Sequence, residues 1–443
     1  MRTFALAACA LVAACGPSPA GQDTVDRQLA TYIASIKAVD NHAHPMLPVQ
    51  AGAAPDTDYD ALPLDGIPPF TLPWRLRPEN PEWARAARAL YDVPKSDTGK
   101  AYVDALGAAR AKTQSAMADS FPDWVLDQAG IAVEFANRVA VGPGLTSPRF
   151  RWVPFDDPLM LPLDTRGEAT LTPDTRPLYP RETALLRRYL ADLKIRELPP
   201  TLDGYVDAVV QPTLQRQHDA GAPAVKFEAA YLRSLNFQPP DTAAARGIYA
   251  RYVRGGVPTH AEYRTLEDYL FHEIARRAGR LGMAVHIHVL YEFGGYYDEN
   301  GAAPHQLQAV ANDSTLRGTN FVMLHGGWPL TNETLSLLGK PNFYTDISMM
   351  TLFIEPSQLA GVLRDWLSQW PEKVLFGTDA FDGGTPQGWD QAALLASHSA
   401  RRALGMALTG MMRDGEIDRP RAEQLARMVL RTNAVRLYHL ELK

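Results

Sequence analysis

His42 and His44 stand two residues apart at the end of an apolar run, 36–45 (IKAVDNHAHP), whose composition is that of a β-strand. Side chains at i and i+2 leave the same face of a strand, so both imidazoles point one way. Neutral imidazole is the commonest transition-metal ligand, and the pair supplies two of the vertices that a zinc-like ion needs. Pairs of this kind also arise by chance in long chains, so the remaining ligands must come from elsewhere in the sequence.

Other residues able to carry chemistry recur in similar settings: Lys226 and Glu228 in AVKFEA, His286 and His288 in AVHIH, His325 in LHGGWP and Asp379 in FGTDAF. Each ends or follows a short apolar run. Each also has an ordinary structural reading. Lys226 can be a buried lysine paired with Glu228, Asp379 can cap a helix and His325 can sit in a turn. Of His286 and His288 only one needs to face a ligand, and His288 is nearer the strand end. His218, His260, His272, His305, His398 and His439 fall in helical or loop stretches, where surface or packing roles are the default.

The elements that must position these groups alternate in type. Strands are expected at 36–45, 131–141, 149–154, 224–229, 284–290, 320–324, 343–347 and 373–376. Helical periodicity fills 22–35, 124–129, 181–193 and 202–220, is broken over 83–118, and dominates 387–443. Thr259 and Glu262 have capping-box spacing before an apolar stripe from Leu266 to Leu281, and Gly130, Gly221 and Gly282 are placed as helix terminators. Strands alternating with helices predict parallel pairing, and eight of them predict a closed (β/α)8 barrel with long inserted loops and a helical C-terminal section. In such a barrel the ends of all strands meet at one mouth, so residues far apart in sequence can surround one ion. Two Pro-rich loops, 45–81 and 154–180, are expected to shape specificity there.

With 46% hydrophobic and 21% charged residues, the 443-residue chain has the composition of a soluble globular protein. Its 44 basic against 50 acidic residues, a net charge of −6, argue against a nucleic-acid partner and for a small-molecule substrate. Arg2, the apolar run Phe4 to Ala14 and VAACG at 12–16 resemble a bacterial lipobox. A signal peptide over 1–14 and a mature domain over 22–443, lipid-anchored through Cys15 at the periplasmic face of a membrane, are therefore expected. A plain secretory signal and a free periplasmic protein are the alternative. Both cysteines, Cys9 and Cys15, lie in this segment, so the mature domain has no disulfide and any metal work falls to histidine and carboxylate.

The chain resembles the amidohydrolase superfamily, in its amidohydrolase-2 branch of metal-dependent (β/α)8 enzymes. The passages that carry the resemblance are VDNHAHP, AVKFEAAYLRSL, AVHIHVL, FVMLHGGWP, NFYTDIS, KVLFGTDAF and LRTNAVRLY, which follow the family's order across nearly the whole mature chain. The Lys226 strand with Tyr231 and Arg233 is similar to the nodulin-like group related to a glutamine-synthetase-associated domain. That group tends to carry Gly two residues after the fifth-strand histidine, where this chain has Leu290. The resemblance implies that His42 and His44 bind one metal, that His288 and His325 bind or face a second, and that Asp379 binds metal and moves protons. Lys226 matches the position at which some members hold a carboxylated lysine bridging two ions, while others hold a single metal. The implied cofactor is one or two divalent ions, zinc by donor type. The implied activity is hydrolysis of an amide, ester or lactone, with Asp379 and His325 catalytic and Tyr231 and Arg233 on the substrate, Arg233 either as a fork for a carboxylate or, equally, in a structural salt bridge.

Three alternatives stand beside this. Related single-metal enzymes are decarboxylases. A membrane dipeptidase suits the compartment but carries H-x-D where this chain has H-x-H. A non-catalytic solute-binding lipoprotein would show two lobes instead of one ordered series of strand-end residues. An oligomer is compatible with any of these.

Overall fold

A computed structural model describes residues 25–48, 55–64, 67–146, 148–384 and 386–442. The lipobox, both cysteines and part of the 45–81 loop lie outside the described residues. Eight strands form in the expected places: β1 (Ala38–Ala43), β2 (Ile131–Asn137), β3 (Phe150–Val153), β4 (Ala224–Phe227), β5 (Ala284–His288), β6 (Phe321–Leu324), β7 (Phe343–Asp346) and β8 (Val374–Leu375). Several are shorter than their apolar runs, because the last residues of each run peel away to form the mouth.

Every pairing is parallel, in the orders β1-β2-β3 and β4-β5-β6-β7-β8. Backbone hydrogen bonds join the two sheets at both seams. Between β3 and β4, Lys226 N donates to Pro154 O at 2.8 Å and Asp156 N to Lys226 O at 2.9 Å. Between β8 and β1, Asn41 N donates to Phe376 O at 2.9 Å, Asp379 N to His42 O at 2.8 Å and His44 N to Ala380 O at 2.8 Å. The eight strands thus close into the barrel expected from the sequence.

Alternation sorts the strand side chains. Val285, Ile287, Phe321 and Met323 join the large core beneath the helices, while Ala224, Ala284, Val322 and Leu324 fill the barrel interior. The C-terminal segment packs into the barrel interior: Ala434, Leu437 and Tyr438 join Val39, Val133 and Ala284 in one apolar cluster. Tyr438 there donates its hydroxyl to Asn41 Oδ1 and lies 2.8 Å from His286 Nε2.

The helices follow the local signals. Thr259 and Glu262 form a reciprocal capping box at the start of the helix His260–Arg280, and Gly130, at φ 69°, ends Phe121–Ala129. The 202–220 helix carries a π turn, Val206–Val210. A helix not expected from the sequence, Thr242–Tyr252, is N-capped by Asp241. Its apolar residues are mostly alanine, which leaves little periodic contrast.

Asp156, at the β3–β4 seam, accepts Gln217 Nε2 at 2.7 Å on Oδ1, while Oδ2 has no partner. Burial pushes this carboxyl up to about 8 against the effect of that bond. An unfolded Asp titrates near ~3.9. The folded state therefore holds the proton more tightly, and the stability gained is full below about pH 4 and lost as pH rises through 8. In calorimetry with chelator present throughout, Tm is expected to fall from about pH 6.5 to about pH 8 and to fall less in Asp156→Asn. An identical slope in both proteins would refute this.

Candidate metal centre

The β1–β8 seam builds the centre. His42 and His44 leave the end of β1, and Asp379, four residues past β8, is bound through its own N–H to His42 O. His42 Nε2 and Asp379 Oδ1 are 3.0 Å apart, His44 Nε2 and the same oxygen 3.5 Å, and His325 Nδ1 and Asp379 Oδ2 3.4 Å. The His42 ring centroid lies 5.1 Å from that of His44 and 5.0 Å from that of His325.

Although His42 is fully buried and its Nε2 is close to Asp379, neither of its ring nitrogens makes a hydrogen bond. The 3.0 Å approach is close but not aligned, as expected when donor atoms are aimed at a shared point instead of at each other. Burial, reinforced by the positive charge of Lys226, holds the His42 imidazole well below its ordinary value. His325 is lowered chiefly by burial as well. Both are thus neutral, the form that ligates a metal. His42, His325 and Asp379 present donor atoms within 4.8 Å of one another, and the set fits a divalent ion taking nitrogen and oxygen ligands.

The backbone is strained to achieve this. His325 (φ 66°), Met349 (φ 56°) and Asp379 (φ 54°), past the ends of β6, β7 and β8, all adopt the left-handed region that L-residues avoid. Gly326 follows His325 at φ 64°, and a Cβ there would meet Trp366 at 2.6 Å and the Met350 sulfur at 2.7 Å, so the turn after His325 requires glycine. Buried carboxylates brace the turns. Asp346 accepts His325 N at 2.8 Å, Asn41 Nδ2 at 2.9 Å and Ser348 Oγ at 2.6 Å, and the Ser348 hydroxyl lies 2.9 Å from His325 Nδ1. Asp40 accepts Thr378 N at 2.9 Å, Thr378 Oγ1 at 2.6 Å and His42 N at 3.2 Å.

The remaining sequence-derived residues divide. His288 reaches the cavity, its ring centroid 4.7 Å from that of His325, but Nε2 is 2.8 Å from Glu292 Oε1 and Nδ1 3.4 Å from the Tyr231 hydroxyl. His286 points into the barrel interior, paired in register with Lys226 and lowered to about 3 by burial and then by that lysine. Lys226 is buried with Nζ 4.0 Å from Glu228 Oε1, and its charge also acts on Asp157. Tyr231 lines the cavity. Of the two readings of Arg233, the structure takes the salt bridge and not the substrate carboxylate: its guanidinium is committed to Glu267 at 2.9 Å and Asp268 at 2.7 Å, stacks on Phe237, and is absent from the cavity wall.

The cavity above the centre measures 540 Å³ and combines Asp60, Glu292, Asp379 and Asp382 with apolar groups such as Leu62, Ile67, Phe293 and Met349. Its walls come from the 45–81 loop and the loops after β5 and β8. The 154–180 loop, expected to share this role, does not line it; Asp157 of that loop instead accepts Glu228 N at 2.8 Å. Asp60 and Glu292 were not singled out by spacing, although the acidic run DTDYD at 56–60, within the loop that follows β1, is visible in the sequence.

Residues 195–440 match the family model described as amidohydrolase. Among solved structures, the chain is similar to a glucuronate isomerase from Caulobacter crescentus, at 14% identity and TM-score 0.59 over 94% of each chain. It is also similar to a uronate isomerase from Thermotoga maritima (13%, TM-score 0.59, 93% of this chain and 96% of that one). A third likeness is to a Lactobacillus casei protein assigned as a metal-dependent hydrolase (14%, TM-score 0.58, 93% and 97%). At these identities the likeness is one of fold. No curated protein matches the chain at a significant level.

If the convergence on Asp379 is a metal centre, purified protein carries near-stoichiometric zinc, and His42→Ala lowers zinc affinity by more than about 100-fold. His286→Gln, altered at the other histidine pair member of β5, retains the metal. Equal zinc content in wild type and His42→Ala by elemental analysis would remove the assignment.

Proposed function

The chain belongs to the amidohydrolase family, and on that premise we propose that it is a metal-dependent hydrolase cleaving a carbonyl-type bond, an amide, ester or lactone, of a small molecule. The observation that carries the reading is the convergence of three histidines, His42, His44 and His325, on one carboxylate at the floor of a cavity. His42, His44, His325 and Asp379 would hold the ion, zinc by donor type. When bound, a divalent metal supplies Lewis acidity, polarising the carbonyl oxygen and lowering the pKa of water to about 7.

The chain's own residues supply the rest. Asp379, with its side chain 13% exposed, is reachable from the cavity and takes the proton of the attacking water. It returns that proton to the departing nitrogen or oxygen as the carbonyl carbon gains the water oxygen and the old bond breaks. His325 is held in place by Ser348 and Asp346 so that its ring cannot swing from the carboxylate. The Tyr231 hydroxyl, beside His288, is placed to orient a polar substrate atom. His288 and Glu292 satisfy each other, which favours a single ion over two. Lys226 is not carboxylated in this reading, since Glu228 and Asp157 already face it and a further carboxylate would crowd both. Decarboxylation is the weaker alternative, because no Lys or Arg among the described residues lines the cavity to grip a carboxylate.

Zinc-loaded protein is expected to hydrolyse members of an amide, ester and lactone panel. Chelation abolishes the activity, zinc restores it, and Asp379→Asn lowers kcat by about 10²–10⁴-fold. Chelator-sensitive release of CO2 from carboxylic acids, without hydrolysis of any panel member, would replace the hydrolase by the decarboxylase. For the cellular location we propose lipidation of Cys15 after removal of 1–14: the protein should follow the membrane fraction, and Cys15→Ser should release it or block its processing. Wild type recovered wholly in the soluble fraction would leave only the plain signal.

A further inference from the structure

We infer that the cavity selects a substrate bearing a protonated amine close to the scissile carbonyl, held by Asp60 on the cavity wall with Glu228 buried behind it, and with an apolar group seated under the β1 loop. The inference rests on the hydrolase reading for the bond that is cleaved and names the substrate class of that site: aminoacyl amides or esters with apolar side chains.

Charge is the first argument. The cavity wall holds four carboxylates, Asp60, Glu292, Asp379 and Asp382, and no Lys or Arg among the described residues. The sequence itself contains no Lys or Arg over 38–74, 281–316 or 374–400, the segments that supply most of that wall. A divalent ion offsets two of the four charges, so the cavity keeps a negative potential that disfavours anionic substrates and concentrates cations.

The second argument is an unsatisfied group. Glu228 is 2% exposed and its Oε2 has no hydrogen-bond partner; burial first, then the neighbouring Asp60, with Lys226 acting against them, holds its carboxyl well above the ordinary value, so the group lacks a cation. The cation beside it, Lys226, lies 4.0 Å from the other oxygen. Donor atoms of Glu228, Asp60 and His44 all fall within 4.8 Å of one another. The Asp60 side chain is 17% exposed and its Oδ1 accepts Leu62 N at 3.3 Å, which leaves Oδ2, 3.8 Å from His44 Nδ1, to face the cluster. A buried carboxyl oxygen without a partner is costly, and an ammonium brings three donors and a positive charge that favours the ionised form.

Geometry then fixes where the amine sits. His44 turns Nε2 toward Asp379 at 3.5 Å and Nδ1 toward Asp60 at 3.8 Å. The cation pole and the hydrolytic carboxylate therefore flank one imidazole, and a group held at the pole is only a few bonds from a carbonyl beside Asp379. Leu62, Leu64, Ile67 and Phe293 provide the apolar wall for the side chain.

The test is calorimetric titration of zinc-saturated full-length protein at about pH 6.5, where an α-amine is protonated. The probes are phenylalaninamide, its neutral counterpart 3-phenylpropanamide and the anion N-acetylphenylalanine. Phenylalaninamide is expected to bind at least about tenfold more tightly than the other two. The preference over 3-phenylpropanamide should shrink to under about threefold in Glu228→Gln and, as a surface-loop variant less able to disturb folding, in Asp60→Asn. Equal or tighter binding of the neutral or anionic probe overturns the proposal, as does a preference unchanged in both variants. Loss of a bound Mn²⁺ or Zn²⁺ equivalent in Glu228→Gln overturns it too, because the pole would then be a metal site. Amide cleavage is read separately: no cleavage with the binding preference intact refutes the hydrolase reading and leaves the amine pole standing.

Discussion

The hydrogen bonds that close the barrel between β8 and β1 are made by the residues proposed to hold the metal. Asp379 N donates to His42 O and His44 N to Ala380 O, so the spacing of the carboxylate from the two imidazoles is set by backbone pairing, not by side-chain flexibility. Barrel closure and site assembly are one interaction. A displacement at this seam would move the ligands apart by the same amount, which is why the neighbouring turns are braced by buried Asp40 and Asp346 instead of being left to solvent.

That bracing comes with an electrostatic cost. Burial pushes Asp40 up to about 7 and Asp346 up to about 6, against the hydrogen bonds that both accept. The same desolvation keeps His42 and His325 neutral. Low dielectric therefore has opposite consequences on the two residue types: it weakens the acids as anions and preserves the imidazoles as ligands. Lys226, inside the same ring of groups, adds to the second effect and partly relieves the acids Glu228 and Asp157.

The cavity divides labour between wall and floor. The floor consists of strand ends and strained turns, fixed by the sheet. The wall comes from the β1 loop and the loops after β5 and β8, which turn acids and apolar groups but, among the described residues, no Lys or Arg into the cavity. Family membership speaks to the floor, and the wall decides what enters. Arg233 illustrates the difference: the motif around it is close to the site in sequence, yet its guanidinium turns away to Glu267 and Asp268 on the helix His260–Arg280.

Alternating strands and helices, the capping box at Thr259 and the terminating Gly130 were legible because they depend on neighbours within a few residues, where periodicity and dihedral preference act. The barrel followed from the count of strands, and His42, His44, His325 and Asp379 from their places at strand ends. The Ala-rich helix Thr242–Tyr252 was not legible, because alanine gives no contrast between faces. The preference for His288 over His286 was legible from depth along the strand, since the two share a face and the one nearer the strand end reaches the cavity while the other reaches Tyr438. Whether Arg233 was free, which loop walls the cavity, and that Asp60 of one loop meets Glu228 of β4 were decided only by the tertiary structure. Contacts between residues hundreds of positions apart depend on how loops pack after the barrel closes, and local sequence carries no term for that distance.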